Sequence, residues 1–240
     1  MNDGEYDELV RRSRTDAPEA TRRLGAVLRF TDVFTHTVLQ IPLRVTIPQL
    51  GWEAFRSASD ATYRFSVIGD LPTAQDYDVE VEAPGGEYVT QASLQVRIPR
   101  PGVPHTPPLL PADYLVGFHL WPTSALHVGS GETAVLGRVV GPTGDPLEAH
   151  RVFFFTGGTL PPTTPWAPTN VHGDFLYRLP GLGKSSTGQT TQVAVELDVA
   201  VHDAACAPVT VQSVQPGGTP PNKLTVNVGS VSPAVTISIS

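Results

Sequence analysis

Short segments in which apolar and polar residues alternate strictly recur along the chain. They include residues 43–47, 63–67, 77–82, 94–98, 175–179 and 193–199. A period of two places the apolar side chains on one face of a β-strand, and it is typical of strands with one buried and one solvated face. Gly, Pro, Asn and Asp residues separate the segments, as turns do. The pattern predicts an all-β protein built from antiparallel β-sandwiches.

Composition excludes several other classes of protein. With 22 glycines and 24 prolines in 240 residues, a helical bundle is excluded, because both residue types destabilise helices. Hydrophobic residues make up 40% of the chain, which is too many for a disordered protein. The formal net charge is −7, and the only lysines are Lys184 and Lys223. A general nucleic-acid partner is therefore not expected, since such binding needs a basic surface.

The sequence divides into four parts. Residues 1–25 hold acids and arginines with few large apolar groups, and we interpret them as a charged N-terminal arm that does not fold alone. Residues 26–99 form the first predicted β-sandwich. Residues 100–112 are rich in proline, which favours a semi-rigid polyproline spacer. Residues 113–240 form the second predicted β-sandwich with a C-terminal extension.

The two predicted sandwiches share an order of segments. Residues 28–45 and 136–152 both run strand, turn, proline, strand. Each is followed by an aromatic segment ending in Leu-Pro, TYRFSVIGDLP at 62–72 and DFLYRLP at 174–180, and then by an alternating segment. A repeated order of this kind predicts two tandem copies of one fold.

The second copy resembles a known family. The series G-R-V-V-x-x-x-G-x-P-L-x-x-x-x-V at 137–152, with G-D-F-x-Y-R-L-P-G at 173–181, is similar to the carboxypeptidase regulatory-like domain. Residues 26–99 resemble it without the Gly-x-Pro turn. The resemblance implies an Ig-like or transthyretin-like (prealbumin-like) β-sandwich in an accessory role, without the zinc-peptidase portion. Tandem domains of this kind also resemble accessory proteins of phage-tail-like contractile injection particles.

Catalytic patterns are missing from the sequence. None of the seven histidines lies two, three or four residues from another, and Cys206 is the only cysteine. Gly183-Lys184-Ser185 lacks the earlier glycine of a phosphate-binding loop, because position 178 is Arg. No Gly-x-Ser-x-Gly elbow is present. The sequence therefore predicts a protein that is not an enzyme, with no catalytic residues, no cofactor and no metal.

Two features are candidates for an interface. Trp166 lies among prolines in the long loop 157–170, where it either packs over its own sandwich or binds a protein or a sugar. Val235, Ile237 and Ile239 alternate in the weakly charged C-terminal segment. That segment either closes its own sheet or forms an edge strand that pairs with another chain.

These features predict a non-enzymatic structural or adaptor protein in a larger assembly, whose partners are the other proteins of that assembly. The alternative is a carbohydrate- or surface-binding module that uses the 157–170 loop. The N-terminal residues show no signal-peptide pattern, and no apolar stretch is long enough to span a membrane. We therefore expect a cytoplasmic location, with release by lysis if the protein belongs to a particle.

Overall fold

A computed structural model describes residues 22–68, 75–98, 115–180, 193–216 and 221–240. In these residues the chain is almost entirely β, which confirms the predicted all-β sandwich fold. The strands of the first half are β1 Arg22–Asp32, β2 Arg44–Ile47, β3 Trp52–Glu53, β4 Phe55–Arg56, β5 Tyr63–Ile68, β6 Gln75–Glu82, β7 Gln91–Ile98 and β8 Leu115–Leu120. Those of the second half are β9 Ala134–Val140, β10 Arg151–Phe155, β11 Ala167–Pro168, β12 Asp174–Arg178, β13 Ala194–His202, β14 Pro208–Val209, β15 Val211–Gln215, β16 Lys223–Asn227 and β17 Val235–Ile239. A 3₁₀ turn, Pro48–Leu50, precedes β3.

The chain forms two compact units. The first unit consists of the described residues within Met1–Arg29, Val45–Glu80 and Ala92–Gly117. The second unit consists of the described residues within Phe30–Arg44, Val81–Gln91 and Phe118–Ser240. Most of the predicted arm and the proline-rich spacer lie outside the described residues. The predicted division into four parts therefore stays a prediction. Within the described residues, no helix is long and apolar enough to cross a membrane.

The strands of the first half form two four-stranded sheets, in the orders β4-β5-β1-β8 and β3-β2-β6-β7. Burial follows the alternation in the sequence, because every second side chain points to the same face. In β6, for example, Val79 is buried and Glu80 is exposed. The buried side chains of the first unit include Ala26, Leu28, Val45, Ile47, Tyr63, Phe65, Tyr77, Val79, Val96 and Ile98.

The second unit has one sheet in the order β12-β9-β17-β15 and another in the order β11-β10-β13-β14, in which β16 also pairs with β13. Its core takes side chains from both sheets, including Val139 and Phe175 from the first and Phe154 and Leu197 from the second. Strand β17 pairs antiparallel with β15 but parallel with β9. This parallel pair departs from the predicted purely antiparallel sheets.

Equivalent strand pairs occur in the two halves of the chain. Strand β5 pairs antiparallel with β1, and β12 pairs antiparallel with β9. In the other sheets, β6 lies beside β2 and β13 lies beside β10. The segments that the two halves share therefore occupy equivalent positions in the strand order.

Two glycines of the motif at 137–181 are required by close packing. A Cβ atom at Gly137 would lie 2.6 Å from Phe175 Cζ and 2.6 Å from the Val235 carbonyl oxygen. Gly173 has a φ of +73°, and a Cβ atom there would lie 2.5 Å from the Val139 carbonyl oxygen. A side chain at either position would separate β9 from its neighbours. These glycines thus permit the β12-β9-β17 arrangement.

Candidate functional site

An aromatic cluster surrounds the predicted residue Trp166. Its ring centre lies 4.7 Å from that of Trp121, with the two planes inclined by 32°. The guanidinium carbon of Arg151 lies 4.5 Å from the centre of the Trp166 ring, as in a cation–π contact. All three side chains are half-buried. We call Trp121, Arg151 and Trp166 the tryptophan cluster.

The loop that carries Trp166 is anchored at its beginning. Asp198, a buried residue of β13, accepts a hydrogen bond from the Gly158 amide at 3.0 Å. The same carboxylate pairs with Lys223 of β16, whose Nζ lies 2.9 Å from Asp198 Oδ1. The hydrogen bond from Lys223 lowers the pKa of Asp198, and the hydrogen bond to Asp198 raises the pKa of Lys223. Both groups therefore stay charged at neutral pH.

The end of the loop is also held in place. The hydroxyl of Tyr177 lies 2.9 Å from the Pro165 carbonyl oxygen, directly before Trp166. Burial raises the pKa of Tyr177 to about 12, so this hydroxyl remains a hydrogen-bond donor. After Trp166, Ala167 and Pro168 pair with Val152 and Arg151 of β10. The position of Trp166 is thus set by contacts on both sides.

Trp121 is positioned by a separate network. Its carbonyl oxygen accepts a hydrogen bond from the Val89 amide at 2.8 Å. The neighbouring Tyr88 donates its hydroxyl to Asp32 Oδ2 at 3.0 Å. Burial and the adjacent Asp32 carboxylate raise the pKa of Tyr88 well above its usual range. The indole Nε1 of Trp121 is buried and has no hydrogen-bond partner among the described residues.

Asp32 is the centre of that network. It is fully buried and accepts hydrogen bonds from the Phe34 and Thr35 amides at 2.8 and 2.9 Å. Arg178 donates to Asp32 Oδ2 at 3.0 Å and to Glu132 Oε2 at 2.7 Å. Burial lowers the pKa of Arg178, but the carboxylates of Asp32 and Glu132 outweigh it and raise the pKa overall. Arg178 therefore balances the charge of the buried Asp32 carboxylate, and both carboxylate oxygens accept hydrogen bonds.

The predicted interface residues lie in different surroundings. Trp166 is partly accessible within the tryptophan cluster. Val235, Ile237 and Ile239 are all buried in the core of the second unit. They belong to β17, which lies between β9 and β15. This placement agrees with the alternative in which the strand closes its own sheet. A contact of these three residues with another chain stays a prediction.

Two members of the cluster were not identified from the sequence. Trp121 follows the alternating strand β8, and Arg151 begins the apolar run of β10, so each reads as an ordinary strand residue. Only the folded chain brings them to Trp166. In the part of the chain that the structure describes, no three His, Cys, Asp or Glu residues are placed to hold a metal ion.

No protein family matches the chain, and no curated protein matches it. Similar solved structures include the Bacillus anthracis TIE protein, at 10% identity and a TM-score of 0.26 over 90% of this chain and 34% of that one. The chain thus spans about a third of the length of that protein. A DUF3823 family protein from Bacteroides ovatus is 7% identical, with a TM-score of 0.25 over 89% of this chain and 98% of that one.

A third similar structure is CBMbc, of family CBM26, from Eubacterium rectale Amy13K, solved in complex with maltoheptaose. It is 10% identical, with a TM-score of 0.23 over 91% of this chain and 93% of that one. At identities of 7–10%, these three proteins indicate no function for this chain. The resemblance to the carboxypeptidase regulatory-like domain stays a prediction.

Proposed function

We propose that the chain is a non-enzymatic adaptor of a multi-subunit assembly and that it contacts a partner through the tryptophan cluster. The observation that carries this proposal is the position of Trp166, half-buried against Trp121 and Arg151 at the end of an anchored loop. Trp and Arg contribute most to binding energy at protein interfaces. A loop that is already ordered loses little conformational entropy on binding, which favours affinity.

The assembly that we propose is a phage-tail-like contractile injection particle, on the resemblance of the predicted tandem domains to accessory proteins of such particles. If the proposal is right, the native protein sediments with a large particle. Trp166→Ala should then reduce incorporation of the chain into the particle. Its melting temperature should stay above the assay temperature, so that the variant is folded in the assay. Val171→Ala is the matched control, because Val171 is exposed in the same part of the chain but lies outside the cluster. Equal incorporation of the two variants would contradict the proposed surface.

Carbohydrate binding by the same cluster is the second candidate function. It is favoured by the two adjacent indole rings of Trp121 and Trp166, whose centres lie 4.7 Å apart. Aromatic rings offer an apolar face to a sugar while polar atoms fix its orientation. Glycan-array binding by the isolated chain, lost in Trp121→Ala and Trp166→Ala, would favour this function over the adaptor.

A further inference from the structure

Two histidines that are distant in the sequence lie together on the second unit. The ring centres of His36 and His119 are 5.6 Å apart, and the planes are inclined by 77°. Both residues are exposed. They are far apart in the sequence, so no local spacing of histidines indicates the pair.

The separation fits coordination of one metal ion by both rings. A zinc–nitrogen distance of about 2.0–2.1 Å places the centres of two coordinating imidazoles roughly 5–6 Å apart at tetrahedral or trigonal angles. The observed 5.6 Å lies within this range. The ring separation is therefore compatible with one ion shared by both histidines.

The hydrogen bonds of Thr31 are compatible with a His119 tautomer that leaves Nε2 free for a metal ion. The Thr31 hydroxyl donates to the Phe118 carbonyl oxygen at 3.3 Å and lies 2.8 Å from His119 Nδ1. A hydroxyl carries one proton, so while it donates to Phe118 it accepts a hydrogen bond from Nδ1–H. The lone pair of His119 is then on Nε2. Metal-binding histidines are commonly oriented by such a hydrogen bond from the second ring nitrogen.

His36 is held by a tight turn. Its φ is +56°, a left-handed conformation that few residues other than glycine adopt. The His36 amide donates to the Asp32 carbonyl oxygen at 2.9 Å, and the Asp32 amide donates to the Thr37 carbonyl oxygen at 3.0 Å. The buried Asp32 carboxylate binds two further amides of this turn.

We propose that His36 and His119 form a binding site for a divalent transition-metal ion such as Zn²⁺, Ni²⁺ or Cu²⁺. Imidazole nitrogen suits these ions. The two rings provide two ligands, and water completes the coordination sphere. Thr31 is a positioning residue that orients His119 and does not touch the ion. The site is separate from the tryptophan cluster and does not depend on the proposed function.

The test is a Zn²⁺ titration of the untagged full chain, freed of metal with a chelator and followed by calorimetry and by NMR of the histidine rings. The ring signals of His36 and His119 should shift together as one Zn²⁺ binds. Either His36→Ala or His119→Ala should weaken affinity at least about tenfold, and Thr31→Val should weaken it by about tenfold. His172→Ala is the matched control, since His172 is exposed on another turn, and its affinity should equal that of the wild type.

Two results would overturn the proposal. One is a titration in which the ring signals of His36 and His119 do not move. The other is a Zn²⁺ affinity of His36→Ala and His119→Ala that equals the affinity of the control variant. The ion would then be bound by other groups. In either case the pair would be an aromatic contact only. Melting curves of all variants without metal show that each is folded, so loss of binding is not loss of structure.

Discussion

Arg178 of β12 and Asp32 of β1 form an ion pair that joins segments 146 residues apart in the sequence. The Arg178 and Asp32 side chains are 15% and 0% exposed. Asp32 also binds the Tyr88 hydroxyl and two amides, so the pair holds both the turn that carries His36 and the segment that positions Trp121. One buried carboxylate therefore supports both proposed sites.

Asp32→Asn should destabilise the second unit strongly. The substitution leaves the Arg178 charge without its buried partner, which typically costs about 3–5 kcal/mol. The free energy of unfolding in urea measures this loss. Glu82→Gln is the control, because it removes an ion pair with Arg44 in which both side chains are mostly exposed. The control should change stability by less than about 1 kcal/mol, and equal losses would contradict the role assigned to Asp32.

Val81→Asp should be far more destabilising than Glu80→Lys. Val81 is buried and its neighbour Glu80 is exposed on the opposite face of β6. An unpaired carboxylate in the core costs several kcal/mol, on the order of 3 or more, whereas exposed substitutions usually change stability by about 0.5 kcal/mol or less. Thermal melting of the two variants measures the difference. Similar melting temperatures would mean that the register of β6 is shifted by one residue.

Ile237→Ala should reduce the stability of the isolated protein. Ile237 is fully buried in β17, between β9 and β15, and removal of a large buried side chain costs about 2–5 kcal/mol. Thr236→Ala, at the exposed neighbouring position, is the control for urea unfolding. If Ile237→Ala impaired assembly but left the unfolding curve of the isolated chain unchanged, β17 would not be closing its own sheet.

Acidification should release the loop that carries Trp166. The pKa of Asp198 is lower in the folded chain than in the unfolded chain. The ionised carboxylate therefore stabilises the fold at pH values above the unfolded pKa of about 3.9. This stabilisation is lost as the pH falls through the lower pKa of the folded chain. Hydrogen exchange at the Gly158 amide should therefore accelerate below about pH 4, relative to the intrinsic rate. In Asp198→Asn, the Gly158 amide should exchange faster already at neutral pH, with little further change on acidification. If neither acidification nor Asp198→Asn changed the exchange rate of this amide, Asp198 would not be the anchor of the loop.

The strands were predictable because their signal is local. Alternation at 77–82 depends only on which face of β6 is buried, and the structure confirms it for Tyr77, Val79 and Val81. The parallel pairing of β17 with β9 was not predictable, because alternation does not specify the neighbour of a strand. Trp166 was a candidate from the sequence, but Trp121, Arg151 and the histidine pair were not identified, for the same reason. Contacts such as Trp121 with Trp166 join residues far apart in the sequence, and no local spacing indicates them.

The central claim is that the tryptophan cluster is the contact surface of the chain. Its most direct test is co-sedimentation of the protein with its native particle, comparing Trp166→Ala, Trp121→Ala and the control Val171→Ala. We expect both tryptophan variants to remain folded. The amount of each that sediments with the particle should fall tenfold or more, which corresponds to a loss of about 1.4 kcal/mol or more of binding free energy. Retention of both variants at the level of Val171→Ala would contradict the claim.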